Sequence, residues 1–286
     1  MSTYWHFPIQ KGANETYAVE FCHIIDTGRK NQWNENKKIL LNNCKINVFM
    51  RGDFSVVVGD KVFSPIYGDL CFLAPFEMHY GKIPSDTELD YYQFDIGMSA
   101  FDTIPDGRKL LEWLTDRDKN KNVFIRPKSA DTELLISSCA EVENALDRSK
   151  LPLAFAEVIR FLDLLSRIYS ENEQPEPTVL SMNISRTVRF IDENFGEQIT
   201  IADLSKLCGV SESWLSRSFR SEVGVTIHSY LTSRRMRVAV TMLAEKSVSE
   251  ISYMCGFSDS SHFISQFRKY FGMTPMEYKR RHMGSG

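Results

Sequence analysis

The sequence predicts an α+β fold of two domains: an amino-terminal β-barrel with two following helices, and a carboxyl-terminal domain made only of helices. Three observations lead to this prediction. The 286 residues exceed the usual length of one domain. The spacing of apolar residues changes from about two to about 3.6 near Asp131. The last hundred residues also contain a duplicated segment.

The composition is that of an ordinary globular chain. With 43% hydrophobic and 25% charged residues, the wholly disordered and fibrous classes are excluded. The longest apolar run, residues 70–76, is far shorter than the roughly 20 residues of a membrane helix. The first residues lack the pattern of a secretory signal, so we expect a cytoplasmic protein. The six cysteines form no C-x-x-C pair, which favours reduced thiols over a zinc site or disulfides.

Short runs rich in β-branched and aromatic residues fill the first hundred positions and are separated by turn residues. Such runs predict strands, and many short strands at this spacing indicate a sandwich or a small barrel. Gly59-Asp60 has the length and chemistry of a tight hairpin turn. The predicted strands are residues 46–50, 54–58, 61–63, 70–73 and 91–96.

Two amphipathic helices are predicted after the strands. The first carries an apolar stripe between Leu134 and Leu146, and the second carries one from Phe155 to Ile168. The second stripe can pack on its own domain, or it can cover the same stripe of a second subunit. For the second alternative the dimerisation residues are Phe155, Ile159, Leu162 and Leu165.

The break between the domains is predicted at residues 171–180. The segment 171–178 has no large apolar residue and contains two prolines, which is typical of an exposed, extended linker. The domains are then residues 1–170 and 181–283. Residues 1–180 carry 20 Lys and Arg against 27 Asp and Glu, whereas residues 181–286 carry 14 against 10. This asymmetry favours a carboxyl-terminal domain that meets a polyanion.

The carboxyl-terminal domain contains an internal repeat. Residues 204–211 match residues 251–258 at an offset of 47, and Phe219-Arg220 matches Phe267-Arg268 at an offset of 48. Two copies are too few for a solenoid, so the repeat indicates a duplicated supersecondary unit.

Each copy has the pattern of a helix, a short turn and a second helix. In the first copy Gly209 ends one helix, Ser211 caps the next, and Leu215 and Phe219 face inward. In the second copy Phe263 and Phe267 face inward. The residues left outside are candidate DNA contacts, because short polar and basic side chains suit a recognition helix in the major groove. They are Ser213, Trp214, Ser216, Arg217 and Arg220 in the first copy, and Ser260, Ser261, His262, Ser265, Gln266 and Arg268 in the second.

Residues 227–246 read as one helix between the copies. About 18 helical residues span roughly 27 Å. That length suits two recognition helices placed about one DNA turn apart.

The region from about residue 181 to 281 resembles the DNA-binding domain of AraC-type transcriptional regulators. The second copy carries the family signature, with Cys255-Gly256-Phe257-Ser258-Asp259 followed by Phe263, Phe267, Gly272 and Tyr278. Family members often have alanine at the position of Cys255 and tyrosine at that of His262. We therefore expect Cys255 to fill the core and His262 to alter base readout.

A weaker resemblance covers the first 170 residues. Gly68-Asp69, Pro75 and His79 are similar to a turn in the cupin-like barrel that precedes many such DNA-binding domains. The resemblance implies a dimeric regulator whose barrel binds a small-molecule effector. It implies as partners double-stranded DNA, the effector, a second copy of the chain and RNA polymerase. We expect an activator, although the residues themselves leave activation and repression open.

Aromatic and polar side chains of the barrel suit a carbohydrate effector, although such residues also fill barrels. Residues 1–180 contain only three histidines, without the His-x-His of metal-binding cupins, so we expect no metal and no cofactor. No catalytic motif is present, and we expect no enzyme. The alternatives are a barrel that only dimerises and a cupin enzyme fused to a DNA-binding domain. The candidate effector residues are Trp33, Phe72, His79, Tyr91, Tyr92 and Phe94.

Overall fold

The computed structural model describes most of the chain. The described residues are 2–7, 19–26, 43–84, 87–97, 100–115, 123–171 and 175–282. The strands are β1 (Ser2–Phe7), β2 (Val19–Asp26), β3 (Asn43–Arg51), β4 (Ser55–Val58), β5 (Lys61–Phe63), β6 (Leu70–Leu73), β7 (His79–Lys82), β8 (Leu89–Gly97), β9 (Phe124–Ile125) and β10 (Thr178–Val179). The helices are α1 (Lys109–Thr115), α2 (Ser129–Asp147), α3 (Leu151–Glu171), α4 (Met182–Asn194), α5 (Ile201–Cys208), α6 (Glu212–Val223), α7 (Ile227–Met242), α8 (Val248–Met254), α9 (Ser260–Phe271) and α10 (Pro275–His282).

The strands form two antiparallel sheets that pack face to face. The larger has the order β1-β2-β8-β3-β6-β9, and the smaller has the order β10-β5-β4-β7. Phe49 and Tyr91 of the larger sheet share a buried cluster with Val56 and Phe63 of the smaller one. All predicted strand runs and the hairpin at Gly59-Asp60 are confirmed. Because no pairing among the described strands joins the two sheets, the predicted closed barrel is not shown.

Both faces of the six-stranded sheet are buried, but against different layers. Phe94 and Phe72 face the helices and belong to the same cluster as Leu135 and Phe161. Their neighbours along the strands point between the sheets, since successive side chains of a strand alternate. The molecule is therefore layered, with α1–α3 on one side of the six-stranded sheet and the four-stranded sheet on the other.

The apolar stripe of helix α3 packs within its own chain. Leu162 and Leu165 are fully buried in the cluster between α2, α3 and the six-stranded sheet. Phe155 and Ile159 are partly buried and pack against the same cluster. Of the two alternatives for this stripe, packing on its own domain accounts for Leu162 and Leu165, since neither side chain is left exposed for a second subunit.

The Gly68-Asp69 turn ties β6 to α2. Gly68 has a φ of +84°, and a Cβ there would collide with Cγ2 of Thr132. The buried carboxylate of Asp69 accepts two hydrogen bonds from Arg126, at 2.8 and 2.7 Å, and one from the Ile66 amide. Both residues of the turn therefore have a packing role.

The predicted linker is not a free tether. Thr178 and Val179 form β10 at the edge of the four-stranded sheet, opposite Val62 and Lys61 of β5, and Leu180 is buried. Glu171, Glu176, Thr178 and Val179 are exposed, as expected for a linker, but the end of the segment is fixed by its pairing with β5 and by the burial of Leu180. Residues 172–174 lie outside the described part. The domain limits themselves remain a prediction.

The carboxyl-terminal helices enclose two apolar cores that share α7. The first core includes Ile184, Leu215 and Phe219, and the second includes Ile251 and Phe263. The helix predicted over residues 227–246 ends at Met242, and a turn leads to the Ser247 cap of α8.

The outer face of the four-stranded sheet packs against the first of these cores. Val57 and Met78 belong to the same cluster as Leu180 and Ile184, and the rings of Tyr80 and Tyr230 are 5.4 Å apart. No helix among the described residues is long and apolar enough to span a membrane.

Candidate nucleic-acid interface

The first helix-turn-helix unit consists of α5 and α6. Thr200 and Asp203 form a capping box at the start of α5, and Gly209 ends α5 with a φ of +67°. The Ser211 hydroxyl accepts a hydrogen bond from the Trp214 amide and starts α6. These local signals set the short turn between the helices, as the sequence predicted.

One face of α6 is buried and the other is open. Leu215, Phe219 and Val223 are fully buried, so the predicted inward direction is confirmed. Ser216 is half-buried. The exposed side chains on α6 include four of the predicted contacts, Ser213, Trp214, Arg217 and Arg220.

The second unit, α8 and α9, repeats this design with one difference in the turn. Gly256, with a φ of +73°, follows the C-cap residue Cys255, whereas Gly209 is itself the C-cap of α5. Asp259 accepts a hydrogen bond from the His262 amide at 2.7 Å and so caps α9. Burial of Cys255 raises the pKa of its thiol to about 11, in agreement with the expected core position.

The polar residues of α9 again lie opposite its core. Phe263, Phe267 and Phe271 are buried. Gln266 Nε2 lies 3.4 Å from His262 Nε2, so these two side chains can orient each other. Of the predicted contacts, Ser261, His262, Ser265 and Arg268 are exposed, and Ser260 and Gln266 are half-buried.

The arginines of both helices are available to an external anion. Among the described carboxylates, none lies within ion-pair distance of Arg217, Arg220 or Arg268. A guanidinium that is not paired within the protein can bind a phosphate, or fork onto guanine O6 and N7.

The candidate effector residues are not brought together. Phe72, Tyr92 and Phe94 lie on the helix-facing side of the six-stranded sheet, and the Tyr92 hydroxyl donates to Glu143 of α2 at 3.3 Å. Tyr91 faces the space between the sheets, and Trp33 lies outside the described residues. Successive residues of a strand point to opposite faces of the sheet. A list of aromatic residues therefore does not tell which of them share a face.

His79 faces the space between the sheets. It pairs with Val58, which lies in the inter-sheet cluster. Burial and the nearby charges of Arg237 and Lys45 lower the pKa of His79 to about 3, so its imidazole is neutral at pH 7. Its Nδ1 lies 3.0 Å from the Glu77 carbonyl oxygen.

Polar side chains that the sequence reasoning missed share this inter-sheet space. Lys45 Nζ lies 3.4 Å from Asp95 Oδ1, and Gln93 Nε2 donates to Asp95 Oδ2 at 2.7 Å. Asn47 is 1% exposed, and its Oδ1 has no hydrogen-bond partner in the described part of the chain. The alternation Lys45-Ile46-Asn47-Val48 carried the signal for these positions. No group of described residues is arranged to hold a metal ion.

Comparison with known proteins agrees with this site. Residues 204–281 match the family described as "Helix-turn-helix domain". The chain is 25% identical over 168 residues to the probable transcriptional regulator LumQ of Photobacterium leiognathi, covering 58% of this chain and 66% of LumQ. It is 27% identical over 143 residues to the transcriptional activator RhaS of Escherichia coli O139:H28, covering 49% and 51%. The chain thus spans about half to two thirds of these relatives.

A solved structure of a transcriptional regulator with an AraC-type DNA-binding domain, from Chromobacterium violaceum, is also similar. It is 29% identical, covers 36% of this chain and 95% of that chain, and has a TM-score of 0.33. Both curated relatives carry names of transcriptional regulators, a probable regulator for LumQ and an activator for RhaS. The helix-turn-helix region of the chain, residues 204–281, is thus similar to that of transcriptional regulators, including one with an AraC-type DNA-binding domain.

Proposed function

We propose that the chain regulates transcription by binding double-stranded DNA sequence-specifically, with α6 and α9 in two successive major grooves. The observation that carries this proposal is the repeated arrangement of a buried apolar face and an open polar and basic face on both helices. Arg217 is assigned to base contact, and Arg220 and Arg268 to phosphates. The exposed serines add hydrogen bonds to bases or phosphates.

The test is selection of bound duplexes from a random DNA pool, followed by titration of the selected site at several salt concentrations. We expect one enriched sequence and an affinity that falls steeply with salt, because bound arginines displace condensed counterions. Arg217→Ala should weaken binding, whereas the control Lys150→Ala, at an exposed position before α3, should not. A pool that shows no enrichment contradicts the proposal.

The effector site of this proposal is the polar space between the two sheets. Lys45, Asn47, Gln93 and Asp95 share the face of the six-stranded sheet that looks toward His79. The acceptor Asn47 Oδ1 and the charged pair of Lys45 and Asp95 offer both acceptors and donors, which suits the hydroxyls of a sugar. This site replaces the one assigned to Phe72, Tyr92 and Phe94.

A panel of sugars tests the effector site by thermal unfolding of the full chain. A ligand that binds the folded state raises the unfolding temperature, and Asn47→Ala should reduce that rise. Asn144→Ala, at an exposed position of α2, is the matched control. A panel without any shift favours the alternative in which this region only dimerises.

The remaining partners rest on the family resemblance. A second copy of the chain and RNA polymerase are proposed partners in the cytoplasm. For dimerisation Phe155 and Ile159 remain candidates, because only they are partly exposed among the four predicted residues. Ile159→Glu should yield a folded monomer in sedimentation if this face is the subunit contact.

A further inference from the structure

We infer that Arg235 is a positioning residue that holds the two helix-turn-helix units at one relative orientation, and thereby sets the spacing of the two DNA sites that the chain prefers. This inference rests on the proposed binding of α6 and α9 to DNA. The residue itself is half-buried and is not among the predicted DNA contacts.

The apolar cores alone do not lock the two units together. The first cluster contains Ile227, Tyr230 and Leu231 from α7, and the second begins with Met236 of the same helix. In the described part of the chain α7 is the element common to both clusters. A single shared helix can bend and twist, so contacts beside α7 add to the restraint on the units, together with the segment that packs Met78 on the first core and Phe76 on the second.

Arg235 makes such contacts with both units. Its Nε donates to the Phe195 carbonyl at 2.8 Å, and its Nη2 donates to the Glu197 carbonyl at 2.6 Å. Both carbonyls lie between α4 and α5. Because Ile191 and Phe195 pack on the same core as α5 and α6, α4 and this segment form one body with the first unit and are included in it from here on. The guanidinium also stacks over the ring of Phe257 in the second unit, at 5.4 Å from the centroid. A planar fork with three fixed contacts resists rotation in a way that a flexible ammonium cannot.

Close backbone packing supports the same contact between the units. Gln198 Nε2 of the first unit donates to the Gly256 carbonyl of the second at 2.9 Å. A Cβ on Gly256 would lie 2.7 Å from the Gly196 carbonyl oxygen and 2.7 Å from Arg235 Nη2. Burial lowers the pKa of Arg235, as expected for a guanidinium enclosed between packed elements. The contact therefore has one tight arrangement.

A fixed orientation has a consequence for DNA. Adding one base pair between the two sites shifts the second site by about 3.4 Å and rotates it by about 35°, since a turn contains roughly 10 to 10.5 base pairs. A rigid pair of recognition helices matches one spacing, whereas a loosened pair accepts neighbouring spacings at a lower best affinity.

The test uses the full chain and the DNA sequence selected above, with the spacing between its two sites changed by one and two base pairs. The wild type should prefer the selected spacing by about tenfold, comparable to the cost of one mismatched base pair. Arg235→Met should weaken binding at that spacing and reduce the preference to about twofold. Binding to a duplex that retains only the first site should be unchanged.

Arg234→Met is the matched control. Arg234 neighbours Arg235 in sequence, but its ion pair with Asp192 at 3.4 Å and its contact with the Phe195 ring lie within the first unit. Its variant should keep the spacing preference. Gln198→Ala, at an exposed position, removes the other hydrogen bond between the units and should also reduce the preference, which covers the case that Arg235→Met does not fold.

A second readout does not depend on DNA. Spin labels placed at Ser221 and Lys269, exposed positions of α6 and α9, report the distance between the two helices by pulsed electron resonance. Arg235→Met should broaden the distribution of distances between the two labels, and Arg234→Met should not. An equally narrow distribution together with an unchanged spacing preference overturns the inference. If the wild type selects no preferred DNA but Arg235→Met broadens the distance distribution, the proposed function is contradicted, whereas the role of Arg235 in orienting the two units is not.

Discussion

At the scale of single residues, Arg217 and Arg220 illustrate how position on one helix separates two roles. Both are exposed on α6, but Arg217 lies between the inward-facing Leu215 and Phe219, on the side opposite the core. Arg220 follows Phe219 in the last turn of the helix. Because a recognition helix reads bases mainly with its first turns, we assign the base contact to Arg217 and the phosphate contact to Arg220.

Alanine variants of these two arginines should therefore differ in whether they lose affinity for the preferred site alone or for all DNA. Arg217→Ala should cost about 1–3 kcal/mol on the preferred site, and much less on random DNA. Arg220→Ala should weaken both complexes alike and reduce the salt dependence by about one released counterion. Titrations of both variants on both DNAs at several salt concentrations measure this. Equal losses on the two DNAs for Arg217→Ala would refute its role as base reader.

Leu162 is a second residue at which the structure makes a definite prediction. Its side chain is fully buried beside the six-stranded sheet, so Leu162→Ala leaves a cavity. The free energy of unfolding should fall by about 2–5 kcal/mol. Urea unfolding measures the loss, and sedimentation of the folded variant should show an unchanged association state. The exposed Leu151→Ala is the control and should change the stability little.

At the scale of elements, a polar cluster holds α2 against the six-stranded sheet. His23 of β2 lies between two carboxylates, with Nε2 at 2.9 Å from Asp90 of β8 and Nδ1 at 2.9 Å from Glu143 of α2. Tyr92 donates to the other oxygen of Glu143. Burial lowers the pKa of His23, but its hydrogen bonds to Asp90 and Glu143 outweigh this effect and the pKa is raised. The protonated imidazole thus links three elements.

The stability should consequently depend on pH through His23. A raised pKa means that the contribution is fully present below the ordinary value of 6.5 and is lost as the pH rises through the folded-state value. The free energy of unfolding, measured by urea at about pH 6 and about pH 8, should be lower at the higher pH. His23→Gln should remove most of this difference. A wild type and variant with the same pH dependence would contradict the prediction.

At the scale of the whole molecule, the carboxyl-terminal helices are packed on the four-stranded sheet. Arg237 of α7 is buried and donates to the Glu77 carbonyl, the same oxygen that lies beside His79 Nδ1. On strand β7, His79 therefore faces the proposed effector site, and Tyr80 faces the carboxyl-terminal helices. An effector that displaces His79 would move groups that contact α7 directly.

This packing predicts the behaviour of the isolated DNA-binding region. A fragment of residues 178–282 should fold and bind DNA, because both helical cores lie mostly within it. Its α4 and α7 should exchange amide hydrogens faster than in the full chain, since Val57, Met78 and Tyr80 no longer cover them. Tyr80→Ala in the full chain should shift exchange in the same direction. Equal protection in fragment and full chain would show that the sheet contributes nothing.

Local sequence patterns by themselves determined the two helix-turn-helix units. The cap at Ser211, the left-handed glycine at 209 and the inward Leu215 and Phe219 depend on contacts within one or two helical turns, and so they can be read from spacing. The five predicted strand runs and the hairpin at Gly59-Asp60 were likewise predictable from local composition and turn residues, whereas β1, β2, β7, β9 and β10 were not predicted. These features also carried the resemblance to the family.

Only the tertiary structure decided which surface each apolar face meets. Both faces of the six-stranded sheet are buried, so the alternation along β8 does not tell whether Tyr91 or Tyr92 faces the helices. The stripe of α3 is the same whether a sheet or a second subunit covers Leu162. The role of Arg235 likewise depends on carbonyls some 40 residues away in the chain. Contacts between segments distant in sequence leave no local periodicity, which is why they became visible only in the folded molecule.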